Sequence, residues 1–348
     1  MMLYVTSLQP FAGKTLTVLG LGRFLASKKK LGYLKTLGNR PVIQEGVLTD
    51  QDALSVAQAL QLDIPPQDLC ALVITQDVVI EALERGPQDL KERIHRKLAL
   101  YRDRFLLLSG YGTLYSGKFL GNSHLDLIKA LGAKTVLTVR WEGEYLLDPL
   151  LKAREDLGEA LSGIVINALR EETRSFYEDL IRPYLEKEGF LILGEIPYEP
   201  FLEAVSVGEL RNFIGGDLLV PGREEQLVEH FLIGGMQVDR AITYFRKTPR
   251  FGVIVGGDRS DIQLAALETG AVCLILTGGL YPNEIILSRA EESGVAILVV
   301  PDDTYSAARK VEQLPRLTRL RHPAKLQRAF QLLDQHLYYE RLKSLLSL

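Results

Sequence analysis

Residues 3–15, LYVTSLQPFAGKT, place the tightest limit on how this chain can fold. A short β-type run, Leu3–Thr6, leads into a loop. Ala12-Gly13-Lys14-Thr15 then stands directly before LTVLGLGRFLAS, whose apolar spacing is helical. A strand that turns through glycine into a helix presents main-chain N–H groups and the positive end of a helix dipole at the turn. An anion suits that place. The Lys14 ammonium suits the β and γ groups of a polyphosphate, and the Thr15 hydroxyl suits Mg2+. The spacing departs from G-x-x-x-x-G-K-[ST], because Leu8 stands where the first glycine belongs and a variant one residue longer places Ser7 there.

The rest of the first two hundred residues alternates. Strands are expected at Leu31–Thr36, Leu69–Thr75, Arg104–Ser109, Thr135–Val139, Gly163–Ala168 and Phe190–Glu195. Between them lie helical patterns at Gln51–Leu62, Gln88–Leu100, His124–Leu131, Asp148–Leu161 and Glu172–Glu188. Such alternation predicts an α/β fold of the P-loop NTPase type, a parallel sheet with helices on both faces, over residues 1–205. A smaller αβ domain is expected over 206–314. There GVIVGGDRSDIQLAALETG and LILTGGLYPNEIILSRAEESG repeat one pattern of β run, glycine pair, polar turn and helix. The pairs Gly256–Gly257 and Gly278–Gly279 either turn the chain or hold a small-molecule effector. Residues 315–348 read as a basic amphipathic helical segment, with seven Lys/Arg against two acids. It either docks on the protein or at a subunit interface, which suggests a homo-oligomer, or lies on a membrane or nucleic acid.

Lys plus Arg number 41 and Asp plus Glu 44, so the net charge of −3 argues against a general nucleic-acid binder. The two cysteines, Cys70 and Cys273, sit in apolar runs, and with no CxxC and five scattered histidines a zinc site is not expected. No run approaches the roughly 18 apolar residues of a membrane span, and MMLYVTS is too short for a secretory signal. The expected setting is cytoplasmic, with no DNA or membrane partner.

The order of landmarks resembles dethiobiotin synthetase: the long loop ending in Gly13-Lys14-Thr15, GYLKTLGNRP with Lys35, TDQDAL with Asp52, and GIVINAL with Asn167. It is also similar to the cobyrinic acid a,c-diamide synthases. Over residues 2–312 it resembles the dethiobiotin-synthetase-like N-terminal region of long bacterial phosphate acetyltransferases. LGEIPYEPFLEAVSVGEL matches the close of their nucleotide domain, and GVIVGGDRSDIQLAAL matches the motif of the DRTGG domain that follows. The resemblance implies ATP with Mg2+ as the cofactor pair. It implies nucleotide contacts from Gly13, Lys14, Thr15 and Asn167, the last toward the base, and Mg2+ ligation by Thr15 and Asp52. Lys14 and Lys35 would be the catalytic cations. Gln9 replaces the signature lysine of partitioning ATPases (K-G-G-x-G-K-T), which disfavours that class.

Two departures weaken the expected chemistry. The family ends a strand in an acid before G-x-G, whereas this chain has Ser109-Gly110-Tyr111-Gly112. The acids of the family's phosphate loop are replaced by Leu8–Ala12. Phosphoryl transfer depends on metal and positioning, so hydrolysis should suffer. About 36 residues follow residue 312, too few for an acetyltransferase domain, so acetyl transfer is not expected. The leading expectation is a nucleotide-binding regulatory protein with weak or no hydrolysis. The alternatives are an ATP-dependent ligase that phosphorylates a carboxylate or carbamate, and a subunit that tunes a metabolic enzyme without nucleotide.

Overall fold

Seven apolar runs in the first two hundred residues line up as one parallel sheet in the computed structural model, which describes residues 1–86, 90–317, 320 and 322–346, without the side chains of 315–317. In chain order they are Met2–Ser7 (β1), Leu31–Gly38 (β2), Cys70–Val73 (β5), Phe105–Ser109 (β6), Lys134–Arg140 (β7), Leu161–Leu169 (β8) and Ile192–Pro197 (β9). Pro41–Gln44 (β3) and Val47–Asp50 (β4) form a separate hairpin between β2 and β5. The spatial order is β5-β2-β6-β1-β7-β8-β9, with parallel pairing throughout. A parallel sheet covered on both faces buries both side-chain rows, and every residue of β2 and β6 is buried. β1 lies between β6 and β7. The loop after it therefore opens at the C-terminal edge where the strand order reverses, the usual ligand crevice of such sheets. Lys14–Ala26 (α1) follows that loop, and Gln51–Ala59 (α2) follows the hairpin.

Contacts divide the chain into Met1–Tyr198 with Leu320–Leu348, and Glu199–Arg319. In the first unit the sequence patterns miss the hairpin, which turns tightly at Glu45 and Gly46, both with positive φ (53° and 76°). They also miss a helix at Gln76–Arg85, capped by Thr75. The helix expected from Gln88 begins outside the described residues, and Leu90–Leu98 is helical. The helix expected over Glu172–Glu188 carries a π-turn at Tyr177–Ile181, just before Pro183, which has no N–H to donate.

The basic C-terminal segment holds two helices, Pro323–His336 and Tyr339–Leu346, packed within the first unit. Arg319, Arg321 and the side chain of Arg316 lie outside the described residues. A side chain on Gly20 of α1 would collide with Leu333 and Leu337. Tyr338 N–H donates to the Leu193 carbonyl at 2.8 Å, and its hydroxyl donates to the buried Glu195 carboxylate, which also accepts from Arg182 Nε at 2.7 Å. Leu332, Leu333, Leu337, Leu342 and Leu346 are all buried. The apolar stripe that suggested a partner copy is thus covered within this chain.

The second unit has a five-stranded sheet. Val205–Ser206 (β10) pairs with Leu227–Val228 (β12) as a small ribbon beside it. Asp217–Val220 (β11), His230–Ile233 (β13), Phe251–Gly256 (β14), Cys273–Thr277 (β15) and Ala296–Val299 (β16) follow the order β11-β16-β15-β14-β13, with only β11 antiparallel. The two repeated sequence patterns form neighbouring strands, β14 and β15. Both cysteines are free and buried. Among the described residues no helix is long and apolar enough to cross a membrane.

Candidate functional site: a phosphate loop at the sheet's C-terminal edge

Gly13 begins α1 with φ 94°, a left-handed conformation that glycine adopts without strain. No side chain caps this helix N-terminus, and no acid lies in its first turn. Asp50 by contrast caps α2, accepting from Ala53 N at 3.0 Å. The first N–H groups of α1 thus keep the electrostatic character that attracts anions. Pro10 and Phe11, the residues that could plug the loop, turn outward, with Phe11 48% exposed.

Lys14 extends along this turn. Its Nζ donates to Ser7 Oγ at 3.1 Å and to the Gly112 carbonyl. Burial, and then the neighbouring Lys35 charge, bring its pKa down to about 8, with Asp52 acting the other way. Asn167, at the end of β8, donates from Nδ2 to the Ala12 carbonyl at 3.0 Å. A Cβ at residue 13 would overlap that amide, so glycine is required there by space as well as by φ. Thr15 follows in the first turn of α1.

Lys35 lies on β2, two strands from β1, paired in register with Ser109 of the intervening β6. Its Nζ is 2.7 Å from Asp50 Oδ1 and 3.2 Å from Asp52 Oδ2. Burial opposes this charge, but Asp52 and Asp50 outweigh it and hold the Lys35 pKa above its ordinary value. The sequence singles out Asp52, yet Asp50 is the closer and wholly buried partner. Asp50 also accepts from Arg40 N at 3.0 Å, so its oxygens serve the fold, whereas the Asp52 side chain keeps 17% exposure. The structure therefore brings Gly13, Lys14, Thr15, Lys35, Asp52 and Asn167 to one edge of the sheet. Among the described residues no three His, Cys, Asp or Glu side chains gather as a metal-holding group.

The turn Ser109–Gly112 forms the other wall. Ser109 Oγ hydrogen-bonds the Tyr33 hydroxyl at 2.8 Å, in the place where the resembled family carries an acid. Beneath the turn lies His124, wholly buried, with Nε2 at 2.8 Å from the Tyr111 carbonyl and Nδ1 at 2.7 Å from the Tyr4 hydroxyl. A carbonyl only accepts, so Nε2 carries the proton and Nδ1 accepts from Tyr4. The Tyr4 oxygen also lies 2.5 Å from Thr36 Oγ1, which donates to the Ser109 carbonyl at 3.1 Å. Burial lowers the His124 pKa to about 4; the Tyr111 carbonyl opposes the shift, and Lys14 and Lys35 add to it. Sequence reading missed this network, because Tyr4 and Thr36 lie on separate strands far from His124 in the chain and leave no local pattern.

In the second unit the glycine pairs bind the strand ends to each other. Gly257 N donates to Thr277 O at 3.2 Å, Gly278 N to Asp302 O at 2.8 Å and Gly279 N to Val300 O at 2.9 Å. Gln263, wholly buried, donates to the Gly256 and Gly257 carbonyls at 3.0 and 3.1 Å. These amides serve the fold. A cavity of about 540 Å³ opens elsewhere, along β13, lined among others by His230, Phe231, Lys247, Val311 and Glu312.

A family model described as an AAA domain matches residues 2–206, and one described as a DRTGG domain matches residues 209–314. The phosphate acetyltransferase of Pseudomonas putida is 26% identical over 258 residues, which cover 66% of this chain and 36% of that enzyme. A cobalt-dependent inorganic pyrophosphatase of Clostridium perfringens is 24% identical over 111 residues, 32% of this chain and 17% of that one. The chain thus spans well under half the length of either relative.

Among solved structures, the CBS and DRTGG domains of the regulatory region of Clostridium perfringens pyrophosphatase, complexed with the activator diadenosine tetraphosphate, share 16% identity, with a TM-score of 0.28, 40% of this chain covered and 70% of that one. A nucleotide-binding protein from Archaeoglobus fulgidus, in complex with ADP, shares 16% identity, with a TM-score of 0.32, 57% of this chain covered and 82% of that one. The first family model takes in more than half of the 348 residues, so the chain belongs to the AAA-domain family, in its dethiobiotin-synthetase-like P-loop form, followed by a DRTGG domain.

Proposed function

We propose that this chain is a nucleotide-binding regulatory protein whose first unit, Met1–Tyr198 with the C-terminal helices, binds ATP with Mg2+ and hydrolyses it slowly or not at all. The observation that carries the reading is the uncapped N-terminus of α1 at Gly13, with the Lys14 ammonium beside it. Main-chain N–H groups and Lys14 take the phosphates, and Lys35, two strands away on β2, adds a second positive charge. Asn167 stands against Ala12 and Gly13 and is the proposed further nucleotide contact. Thr15 and Asp52 supply a hydroxyl and a carboxylate, hard oxygen donors of the kind Mg2+ takes, and Mg2+ usually keeps several waters besides. Bound Mg2+ would neutralise phosphate charge. Ser109 in the acid's place removes one negative ligand and accounts for slow hydrolysis.

The DRTGG domain is the proposed seat of a small-molecule effector. Its cavity of about 540 Å³ along β13 is within the range of small-molecule sites. Regulation then requires that nucleotide or effector bind two states of the protein with different affinity.

Titration of a fluorescent ATP analogue into the full chain, with and without Mg2+, tests the reading beside phosphate release. Tight binding lost in Lys14→Ala, with phosphate release at background, is the expected result. ADP formation stimulated by a carboxylate substrate overturns it in favour of a ligase. No binding of any nucleotide removes it altogether.

A further inference from the structure

The register of the central sheet explains a side chain that no motif contains. β1 ends with Ser7 opposite Thr138 of β7. One rung further, Gln9 would face Arg140, but the main chain has already turned away into the phosphate loop. The Gln9 side chain makes the missing rung. Its Nε2 donates to the Arg140 carbonyl at 3.1 Å, and Arg140 N donates to its Oε1 at 3.2 Å. A primary amide carries the same donor and acceptor as a peptide group, so the ladder continues while the backbone is released to curl.

The same residue is held from its other side, since Ser7 Oγ donates to the Gln9 carbonyl at 2.8 Å. Arg140 pairs in register with Asn167, whose amide holds Ala12 at the far end of the loop. Only the exposed tip, Pro10–Phe11, stands between these two fastenings.

We infer that Gln9 is a positioning residue for polyphosphate binding: it holds the first half of the loop in its binding shape before the ligand arrives. The inference rests on the proposed use of the loop for a nucleotide. Ordering a loop opposes binding entropically, and fastening it beforehand removes that opposition. Gln9 touches no phosphate in this account. It acts through the curvature it imposes on residues 8–13.

The test uses the full chain with ATP and with inorganic tripolyphosphate, and compares wild type, Gln9→Ala, Gln9→Glu and Gln9→Met. Gln9→Met keeps length and bulk without the amide. Gln9→Glu keeps the acceptor and loses the donor to Arg140. The expected result is a dissociation constant raised roughly tenfold for both ligands in all three variants, about 1.4 kcal/mol. It should arise mostly in the association rate, while the melting temperature of the ligand-free chain stays close to wild type. Equal losses for both ligands place the effect at the phosphates. A lowered melting temperature with unchanged dissociation constants shows a merely structural residue and overturns the inference. So does unchanged binding in Gln9→Met. If wild type itself binds neither ligand, the nucleotide reading fails and takes this inference with it. If wild type binds and Lys14→Ala does not, the nucleotide reading stands whatever the Gln9 variants show.

Discussion

Lys14 Nζ donates to the main-chain carbonyl of Gly112, in the turn after the neighbouring strand β6, and to Ser7 Oγ, which lies 3.2 Å from the same carbonyl. The ammonium is therefore already aimed along the turn that a polyphosphate would follow. Its pKa, lowered to about 8 from 10.5 by burial and by Lys35, makes the contact titratable near neutral pH.

Tripolyphosphate affinity should be nearly flat from pH 7 to pH 8 and fall above it, by at most about tenfold per unit, as Lys14 loses its proton. Isothermal titration between pH 7 and pH 10 checks this, and Lys14→Ala should show weak binding without the slope. Folding stability moves the opposite way. The folded pKa lies below the unfolded value, so the unfolded chain binds more protons between pH 8 and 10.5, and this residue's contribution to stability rises with pH there.

Asp50 and Asp52 should separate stability from ligand binding. Asp50→Ala leaves the buried Lys35 without its 2.7 Å partner and uncaps α2, and should cost about 3–5 kcal/mol in chemical denaturation. Asp52→Asn, at a partly exposed carboxylate, should cost about 1 kcal/mol or less. It should instead weaken the Mg2+ dependence of nucleotide binding. Equal destabilisation by the two variants would contradict this division.

His124 is buried as a neutral ring with its pKa near 4 against 6.5 when free. The unfolded chain therefore takes up a proton that the folded chain refuses. Stability is fully present above pH 6.5 and declines as pH falls toward 4, by about 3 kcal/mol at 1.36 kcal/mol per unit. Denaturant melts at pH 7, 6, 5 and 4 should show the decline. His124→Gln should flatten it while lowering stability at pH 7, because the Tyr4 and Tyr111 hydrogen bonds are disturbed.

Much of the fold was legible because the chain obeys its local rules. The strand at Leu3–Thr6, the glycine turn and the helix after Lys14 lie consecutively, and apolar runs alternating with amphipathic ones state a parallel sheet directly. Lys35, Asp52 and Asn167 were reached through the order of motifs, and the sheet brings them to one edge. What was missed depends on strand order. Gln9 matters because β7 lies beside β1, and His124 because its helix runs beneath the Ser109–Gly112 turn. The hairpin at Pro41–Asp50 was missed because Pro41 and a Glu45–Gly46 turn read as loop. Gly256–Gly257 and Gly278–Gly279 left two readings open, a chain turn or an effector site, and strand-end pairing uses the N–H groups of Gly257, Gly278 and Gly279.

The C-terminal helices should contribute to the stability of the nucleotide unit. Leu337 is 4% exposed, lies where a side chain on Gly20 would fall, and forms a bridge with Gly194 of β9. Leu337→Ala should cost about 2–5 kcal/mol. It should also speed hydrogen exchange in both α1 and β9, measured by mass spectrometry. Faster exchange confined to the C-terminal helices would show that they are a dispensable appendage.

The central claim is that the turn at Gly13 binds a polyphosphate. Equilibrium binding of ATP to wild type and to Lys14→Ala, on samples with matched melting temperatures, tests it most directly. The account predicts saturable one-site binding by wild type and a loss of at least about 2 kcal/mol, roughly thirtyfold, in the variant. Equal affinity in both proteins, or none in either, would contradict it.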